Sequence, residues 1–319
     1  MSQKIVTIVG ATGAQGRGVV SAFINNPLYH VRAITRNPQS AAGLALSAQG
    51  AEVITADLNS LPSLETAFAG SHIIFGVTNF FEPFAEHSSP TKAVEIEIQQ
   101  GTNLARAAMS TLSTLEHYIW STLPSAVNIS GGKYDVPHFE GKIAIDKFIQ
   151  SQPDLVKKTT FLWVTWYHSN YVFPMFTPYY IPTAGKYLQF ASYAADTPIQ
   201  TIGDVTKNIA PFVRAVVEQP GKTRGNVVLA TSEKFGAEEL LQLWARTKGV
   251  KAQFVRVSGE DYRAFWPLWA EEMGGMMEFW DEYRESWVDT LGRRVVSGEE
   301  LGVKGLESVE EGFKTFELE

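Results

Sequence analysis

A doubly wound parallel α/β sheet, followed by a smaller mixed α/β domain, is the fold predicted by this sequence of 319 residues. Three observations predict it. An apolar run at 5–9 enters a turn holding Gly10, Gly13 and Gly16, and then a stretch in which Val19, Val20, Phe23 and Ile24 share one helical face. Segments of strand and helix periodicity alternate from there to residue 165. Beyond residue 161 the texture turns aromatic and proline-rich. Regular β-α alternation implies a parallel sheet covered on both faces, with right-handed crossovers.

The first strand, turn and helix have the context of a dinucleotide-binding fingerprint, of the Rossmann type. Gly10 suits the sharp turn, Gly13 lets a pyrophosphate approach the backbone, and Gly16 lets the helix pack closely. The helix N-terminus offers free N–H groups and partial positive charge to phosphate. Asn25-Asn26-Pro27 breaks the helix, and 30–35 reads as the second strand, followed by Arg36. The end of this strand meets the adenosine ribose, where an acidic residue favours NAD and an arginine pairs with a 2′-phosphate. Arg36 has no acidic neighbour in sequence, so NADP(H) is favoured over NAD(H).

Residues 41–49 read as a helix and 52–56 as the third strand, ending at Asp57-Leu58. Residues 61–69 are helical, with Pro62 where a helix tolerates proline. The fourth strand, 72–78, leads to Asn79; a long helix spans 91–109, and 117–121 is the fifth strand. A Pro/Ser/Gly loop, 122–134, sits at that strand's carboxyl end, the edge where ligands bind in such sheets. A helix from about 142 to 151 follows, then a sixth strand, 161–165, running into Trp166-Tyr167-His168-Ser169-Asn170.

The expected division is a nucleotide-binding domain over 1–155 and a smaller substrate or partner domain over 156–319, with strands near 161–165 and 225–230 returning to the first. Twelve of the 33 residues in 161–193 are aromatic, interspersed with Pro174, Pro178 and Pro182. That pattern suits irregular structure around an aromatic cleft, or the loop-rich core of the second domain. Helices are expected at 204–218 and 235–247, and strands at 225–230 and 252–257. Trp266, Trp269, Met273, Met277, Trp280, Tyr283 and Trp287 recur at helical spacing, with a kink or break expected at Gly274-Gly275. Residues 299–319 carry seven acidic residues and two lysines and read as a solvated terminus.

Composition narrows the function. Hydrophobic residues are 45% and charged residues 19%, an ordinary globular balance. No apolar run approaches a membrane span, and the N-terminus leads straight into the first strand without a signal-peptide pattern. A cytoplasmic protein is expected, or a nuclear one if it regulates. The absence of cysteine excludes disulfides, thiol nucleophiles and thiolate metal sites. The histidines lack metal-ligand spacing, so no metal is expected. The net charge of −7, without a basic run, argues against direct nucleic-acid binding.

Many short-chain dehydrogenases use Tyr-x-x-x-Lys beside the nicotinamide, the lysine lowering the tyrosine pKa for proton relay. None of the eleven tyrosines here has a lysine four residues later; the expected place holds His138-x-x-x-Lys142 instead. The chain resembles the NmrA-like group of atypical short-chain dehydrogenase/reductases from residue 4 to about 260. The resemblance is carried by Gly10-Ala11-Thr12-Gly13-Ala14-Gln15-Gly16, Thr35-Arg36-Asn37-Pro38, Ala56-Asp57-Leu58, the segment from Val136 to Lys142, Trp166 to Asn170, and Ile202-Gly203-Asp204-Val205, which looks like the family's return to the sheet. It implies that Gly10, Ala11, Thr12, Gly13, Ala14, Gln15 and Gly16 hold a pyrophosphate and that Arg36 meets the 2′-phosphate. It further implies that Asp57 and Leu58 contact adenine, that Val77, Thr78 and Asn79 lie along the ribose and nicotinamide, that Lys142 binds the nicotinamide ribose, and that Tyr167, His168, Ser169 and Asn170 border the nicotinamide.

Two functions are compatible with these residues. One is an NADPH-dependent oxidoreductase acting on a carbonyl or conjugated double bond of an apolar or aromatic metabolite, as in secondary metabolism. Its pocket would use the 161–193 segment with Trp266 and Trp269, and Lys142, His138 or Tyr167 would supply the proton. The other is a non-catalytic NADP(H)-sensing regulator that binds a protein partner, through loops near Phe80-Phe81 and Ser130-Gly131-Gly132. Substrate, partner and oligomeric state stay open.

Overall fold

Val6 and Ile8, both fully buried, anchor the first strand, β1 (Lys4–Ile8). In the computed structural model, which describes residues 3–317, β1 turns at Gly10 into α1 (Ala14–Phe23). The alternation continues through β2 (Tyr29–Thr35), α2 (Ala41–Ala48), β3 (Glu52–Thr55), α3 (Leu61–Phe68) and β4 (Ile73–Gly76). Ser40 and Ser60 cap α2 and α3, each hydroxyl accepting a first-turn N–H. Then come α4 (Phe81–His87), α5 (Pro90–Ser110), β5 (His117–Thr122), α6 (Ala126–Ser130), α7 (Pro137–Gln150), α8 (Pro153–Val156) and β6 (Thr159–Val164).

The second half begins with β7 (Trp166–Tyr167), a 3-10 turn over His168–Val172, β8 (Tyr179–Ile181), β9 (Lys186–Ala191) and β10 (Pro198–Gly203). It continues with α9 (Val205–Glu218), α10 (Pro220–Thr223), β11 (Val227–Ala230), β12 (Glu233–Gly236), α11 (Ala237–Lys248), β13 (Ala252–Arg256) and α12 (Gly259–Phe265). A π-helical turn, Ala270–Gly274, precedes α13 (Gly275–Glu282), β14 (Val295–Ser297) and α14 (Val309–Thr315).

Eight strands form one parallel sheet in the order β14-β11-β6-β5-β4-β1-β2-β3. Strand order reverses between β1 and β4, which opens a crevice at the carboxyl ends of those strands. On one face, Val6 and Ile8 meet Val19, Val20 and Phe23 of α1 and Ile209, Phe212 and Val213 of α9. On the other, Ile74, Trp120 and Trp163 pack with Leu64, Leu104 and Ile145. Two three-stranded sheets, β12-β10-β7 and β13-β9-β8, stand beside a second core built on Tyr171, Trp244, Met277, Phe279, Trp280 and Phe313.

Several segments differ from the sequence expectation. Helix α7 starts at Pro137, five residues before the expected start, because proline at the first helical position already has helical φ and loses no needed N–H. The loop 122–134 contains α6, capped by Ser125. Residues 161–193 are more regular than expected: β9 pairs antiparallel with β8 and parallel with β13, a partner some sixty residues away that no local pattern announces. The 202–205 segment does not re-enter the main sheet as a strand. β10 belongs to a small sheet with β12 and β7, and α9 makes the return by packing on α1. The Gly274-Gly275 pair marks the junction of the π turn and α13. The acidic terminus is only half solvated: in α14, Glu310 and Glu311 are exposed while Val309 and Phe313 are fully buried.

Candidate functional site

The crevice at the strand-order reversal is one continuous groove of about 1000 Å³. Its first part is the glycine turn. Gly10 adopts φ +62° against Val77, a conformation that favours glycine. A Cβ at position 16 would lie 2.0 Å from the Gly10 carbonyl oxygen, so that closure of helix on turn requires glycine. Gly13, the N-cap of α1, brings no side chain to its first turn, and no acidic residue stands there. The first-turn N–H groups therefore meet the groove uncapped, a cradle suited to an anionic diphosphate. Gly10, Thr12, Gly13, Ala14, Gln15 and Gly16 line it. Ala11 does not: it is fully buried in the sheet core.

Arg36 lies at the rim with Asp57, Leu58 and Asn59. Its Nη1 donates to Oε1 of Glu82 on α4, and both side chains are largely exposed. Glu82 raises the guanidinium pKa further, against a smaller effect of burial. Arg36 is thus isolated from acidic residues in sequence but not in space. Asp57 accepts the backbone and side-chain N–H groups of Asn59, which shapes the turn after β3.

Val77, Thr78 and Asn79 follow β4 along the groove floor. Lys142, almost fully buried, reaches Thr78 from α7: its Nζ donates to Thr78 Oγ1 at 3.0 Å, to Glu97 Oε1 at 2.9 Å and more weakly to the Thr78 carbonyl at 3.4 Å. The Thr78 hydroxyl donates in turn to Glu97 Oε1 at 2.8 Å. Glu97 has no exposure, so the cation and carboxylate form a buried pair over the Trp120 ring.

One turn before Lys142 on α7, His138 also lines the groove. Its Nδ1 hydrogen-bonds Glu272 Oε1, and its backbone N–H donates to the same oxygen at 3.2 Å. Tyr167 accepts a 2.7 Å hydrogen bond from Gln15 Nε2 at its hydroxyl. Burial pushes that hydroxyl up to about 12, so it stays protonated and donates reluctantly near neutral pH. Ser169 and Asn170 line the groove from the 3-10 turn, but His168 turns away. Its Nδ1 meets the Gly203 carbonyl at 2.9 Å, and its ring packs between Phe313 and Phe316.

Part of the wall is apolar, formed by Phe80, Phe81, Trp166, Phe173, Met276 and Trp280. Trp266 and Trp269 do not line it, contrary to expectation. Trp269 stands behind the wall against Phe81, Phe84 and Phe173, and Trp266 packs on Tyr262 and Tyr179. Of the residues missed in sequence, Glu97 had a signal: it falls in register with Ala93, Gly101 and Leu104 on the buried face of α5. Glu82 and Glu272 had none, because their partners lie 46 and 134 residues away. Among the described residues no cluster of metal-ligating side chains occurs, and no helix is long and apolar enough to cross a membrane.

A family model described as the NmrA-like family matches residues 2–307. An NmrA-like family domain-containing oxidoreductase of Aspergillus hancockii is 28% identical over 260 residues, covering 79% of this chain and 74% of that protein. An NmrA-like family domain-containing protein of Dictyostelium discoideum is 26% identical and covers 89% of each. Among solved structures, the negative transcriptional regulator NmrA superposes with a TM-score of 0.78 at 20% identity, over 98% of this chain and 95% of that one. The NADPH-dependent quinone oxidoreductase QOR2 of Escherichia coli, complexed with NADPH, gives 0.69 at 18% identity, over 97% and 98%. At these identities the likeness to solved structures concerns the fold.

Proposed function

The chain belongs to the NmrA-like family, and on that premise we propose that it is an NADP(H)-dependent oxidoreductase acting on a carbonyl or conjugated double bond of a flat, apolar compound. The observation that carries the reading is that a single groove is lined by the anion cradle, by aromatic side chains, and by His138 and Lys142. The cradle fits the cofactor by its uncapped helix N-terminus and by the glycine contacts at positions 10 and 16. The names of relatives such as the Aspergillus hancockii oxidoreductase, and the NADPH held by the quinone oxidoreductase of the same fold, support it.

In this reading the turn from Gly10 to Gly16 binds the pyrophosphate by its backbone, with Ala11 acting from the core. Arg36 takes the 2′-phosphate and Asp57 and Leu58 border the adenine. Val77, Thr78, Asn79, Tyr167, Ser169 and Asn170 line the path to the nicotinamide, while His168 supports the 3-10 turn from behind. Bound NADPH would supply a hydride. Lys142 orients the nicotinamide ribose by exchanging its long 3.4 Å bond to the Thr78 carbonyl for a ribose hydroxyl, and sets the local field rather than giving up a proton. Residues 1–155 thus supply most of the cofactor contacts, and 156–319 add Tyr167, Ser169 and Asn170 together with much of the apolar wall.

The test is calorimetry with NADPH and NADH, followed by NADPH oxidation with menadione, cyclohexenone and cinnamaldehyde. Tight NADPH binding with turnover of at least one compound is expected. A second reading, a non-catalytic NADP(H) sensor with a protein partner, draws on the full commitment of the Lys142 donors inside the protein. Tight NADPH binding without oxidation by any of these compounds would favour it, and failure to bind either cofactor would overturn both.

A further inference from the structure

We infer that Glu272 is the positioning residue for His138: it fixes the proton on Nδ1 and presents Nε2 to the groove, where the ring donates a proton to the substrate. The last step rests on the oxidoreductase reading; the orientation of the ring rests on geometry.

Two donors of one residue, the His138 backbone N–H and Nδ1, converge on Glu272 Oε1. Because Oε1 already accepts the backbone N–H, it acts as an acceptor toward the ring as well, which places the proton on Nδ1. The Phe80, Phe81 and Phe139 rings enclose the imidazole. Nε2 has no partner among the described residues, and the His138 side chain keeps 7% exposure. With Nδ1 turned to Glu272 and the residue lining the groove, Nε2 is the ring nitrogen left to face it.

Glu272 is poorly explained as a structural residue. It is 1% exposed, and its Oε2 is buried without a partner among the described residues. Such a carboxylate is costly unless a positive group offsets it. The cation nearest in sequence to His138 on α7, Lys142, is already paired with Glu97. The His138 ring is the ionisable group in contact with Glu272 among the described residues, so it is placed to offset that carboxylate. The segment carrying Glu272 is also irregular: it is the π-helical turn Ala270–Gly274, preceded by Leu268 at φ +70°. Wide turns and non-glycine residues in the left-handed region persist where surrounding structure enforces them, often at functional sites.

The chemistry balances with NADPH as the named reductant. One hydride reaches the substrate and NADP⁺ remains; the substrate π bond opens, and its oxygen takes the proton from Nε2. His138 is left neutral with its proton on Nδ1, still bonded to Glu272, and regains the Nε2 proton from water through the groove.

The experiment uses the full chain labelled with ¹⁵N-histidine, His138→Gln identifying the His138 signals among six histidines. Wild type should show Nδ1 protonated. Glu272→Leu should let the Nε2–H tautomer appear, with kcat for NADPH and menadione falling about 10²–10⁴-fold and KM for NADPH staying within about twofold. Glu272→Gln, which keeps an acceptor, should hold the tautomer and recover part of kcat; it also serves if the leucine variant does not fold. A wild-type ring protonated only on Nε2, a tautomer indifferent to both substitutions, or an unchanged kcat would overturn the inference. If wild type does not reduce menadione, the oxidoreductase reading loses that support, while the tautomer result still decides whether Glu272 fixes the ring.

Discussion

The contact between Arg36 and Glu82 leads to a quantitative prediction about cofactor choice. Arg36 is the residue expected to bind the 2′-phosphate, yet its guanidinium is engaged by Glu82. The side chains are 72% and 48% exposed, so solvent screens the pair and it is worth at most about 1 kcal/mol. A phosphate must displace that carboxylate. Glu82→Ala removes the competitor, and NADPH should bind up to about fivefold more tightly, with NADH nearly unchanged. Arg36→Ala forfeits a charge-assisted hydrogen bond of about 1.5–3 kcal/mol. Set against the pair already lost in the free protein, the net is about 0.5–2 kcal/mol, a roughly 2- to 30-fold loss for NADPH. NADH should stay within about twofold. Calorimetry of both cofactors on wild type and both variants, at one fixed salt concentration, reads these ratios. An unchanged NADPH/NADH ratio in Arg36→Ala, or weaker NADPH binding in Glu82→Ala, would refute the reasoning.

The remaining predictions concern buried groups. Lys142→Ala leaves the Glu97 carboxyl in the interior without its cation, so urea unfolding should show a loss of about 3–5 kcal/mol, and Lys142→Met with Glu97→Leu should recover most of it. His117 bonds Thr160 inside the sheet, and burial, helped by Arg224, lowers its pKa from 6.5 to about 3. The folded protein therefore binds fewer protons than the unfolded chain in that window. Stability present above pH 6.5 should fall toward pH 3 by up to about 4–5 kcal/mol, and His117→Gln should flatten the slope in acid unfolding curves. Phe313→Ala should cost about 3–5 kcal/mol in chemical denaturation, because its ring fills the second core against Tyr171 and His168. An unchanged midpoint would show that α14 is dispensable.

Legibility followed the range of the interactions. The parallel sheet, α1, α5 and α9 were readable because each announces itself through the spacing of its own apolar residues. The glycine turn was readable because its backbone demands lie within seven residues. The start of helix α7 was placed five residues late, because Pro137, a local signal for a first helical position, was read as part of the preceding loop. His168 and Ala11 were grouped with the groove by adjacency in sequence, but neighbours on a strand end or 3-10 turn point in different directions. Trp266 and Trp269 share helical spacing with groove residues, yet the π turn resets the register between them and Met273.

From the order of its residues alone, this chain determined a doubly wound parallel sheet, a glycine-rich turn between its first strand and helix, and the placing of His138 and Lys142 where tyrosine and lysine are usual. These depend on local propensity and on periodicities of two and 3.6 residues. Tertiary structure alone decided what those side chains can do. It set Glu82 on Arg36, Glu97 on Lys142 and Glu272 on His138, carboxylates 46, 45 and 134 residues from their partners. The physical reason is that a charge acts through space, and its effect depends on distance and burial, neither of which is written in sequence separation.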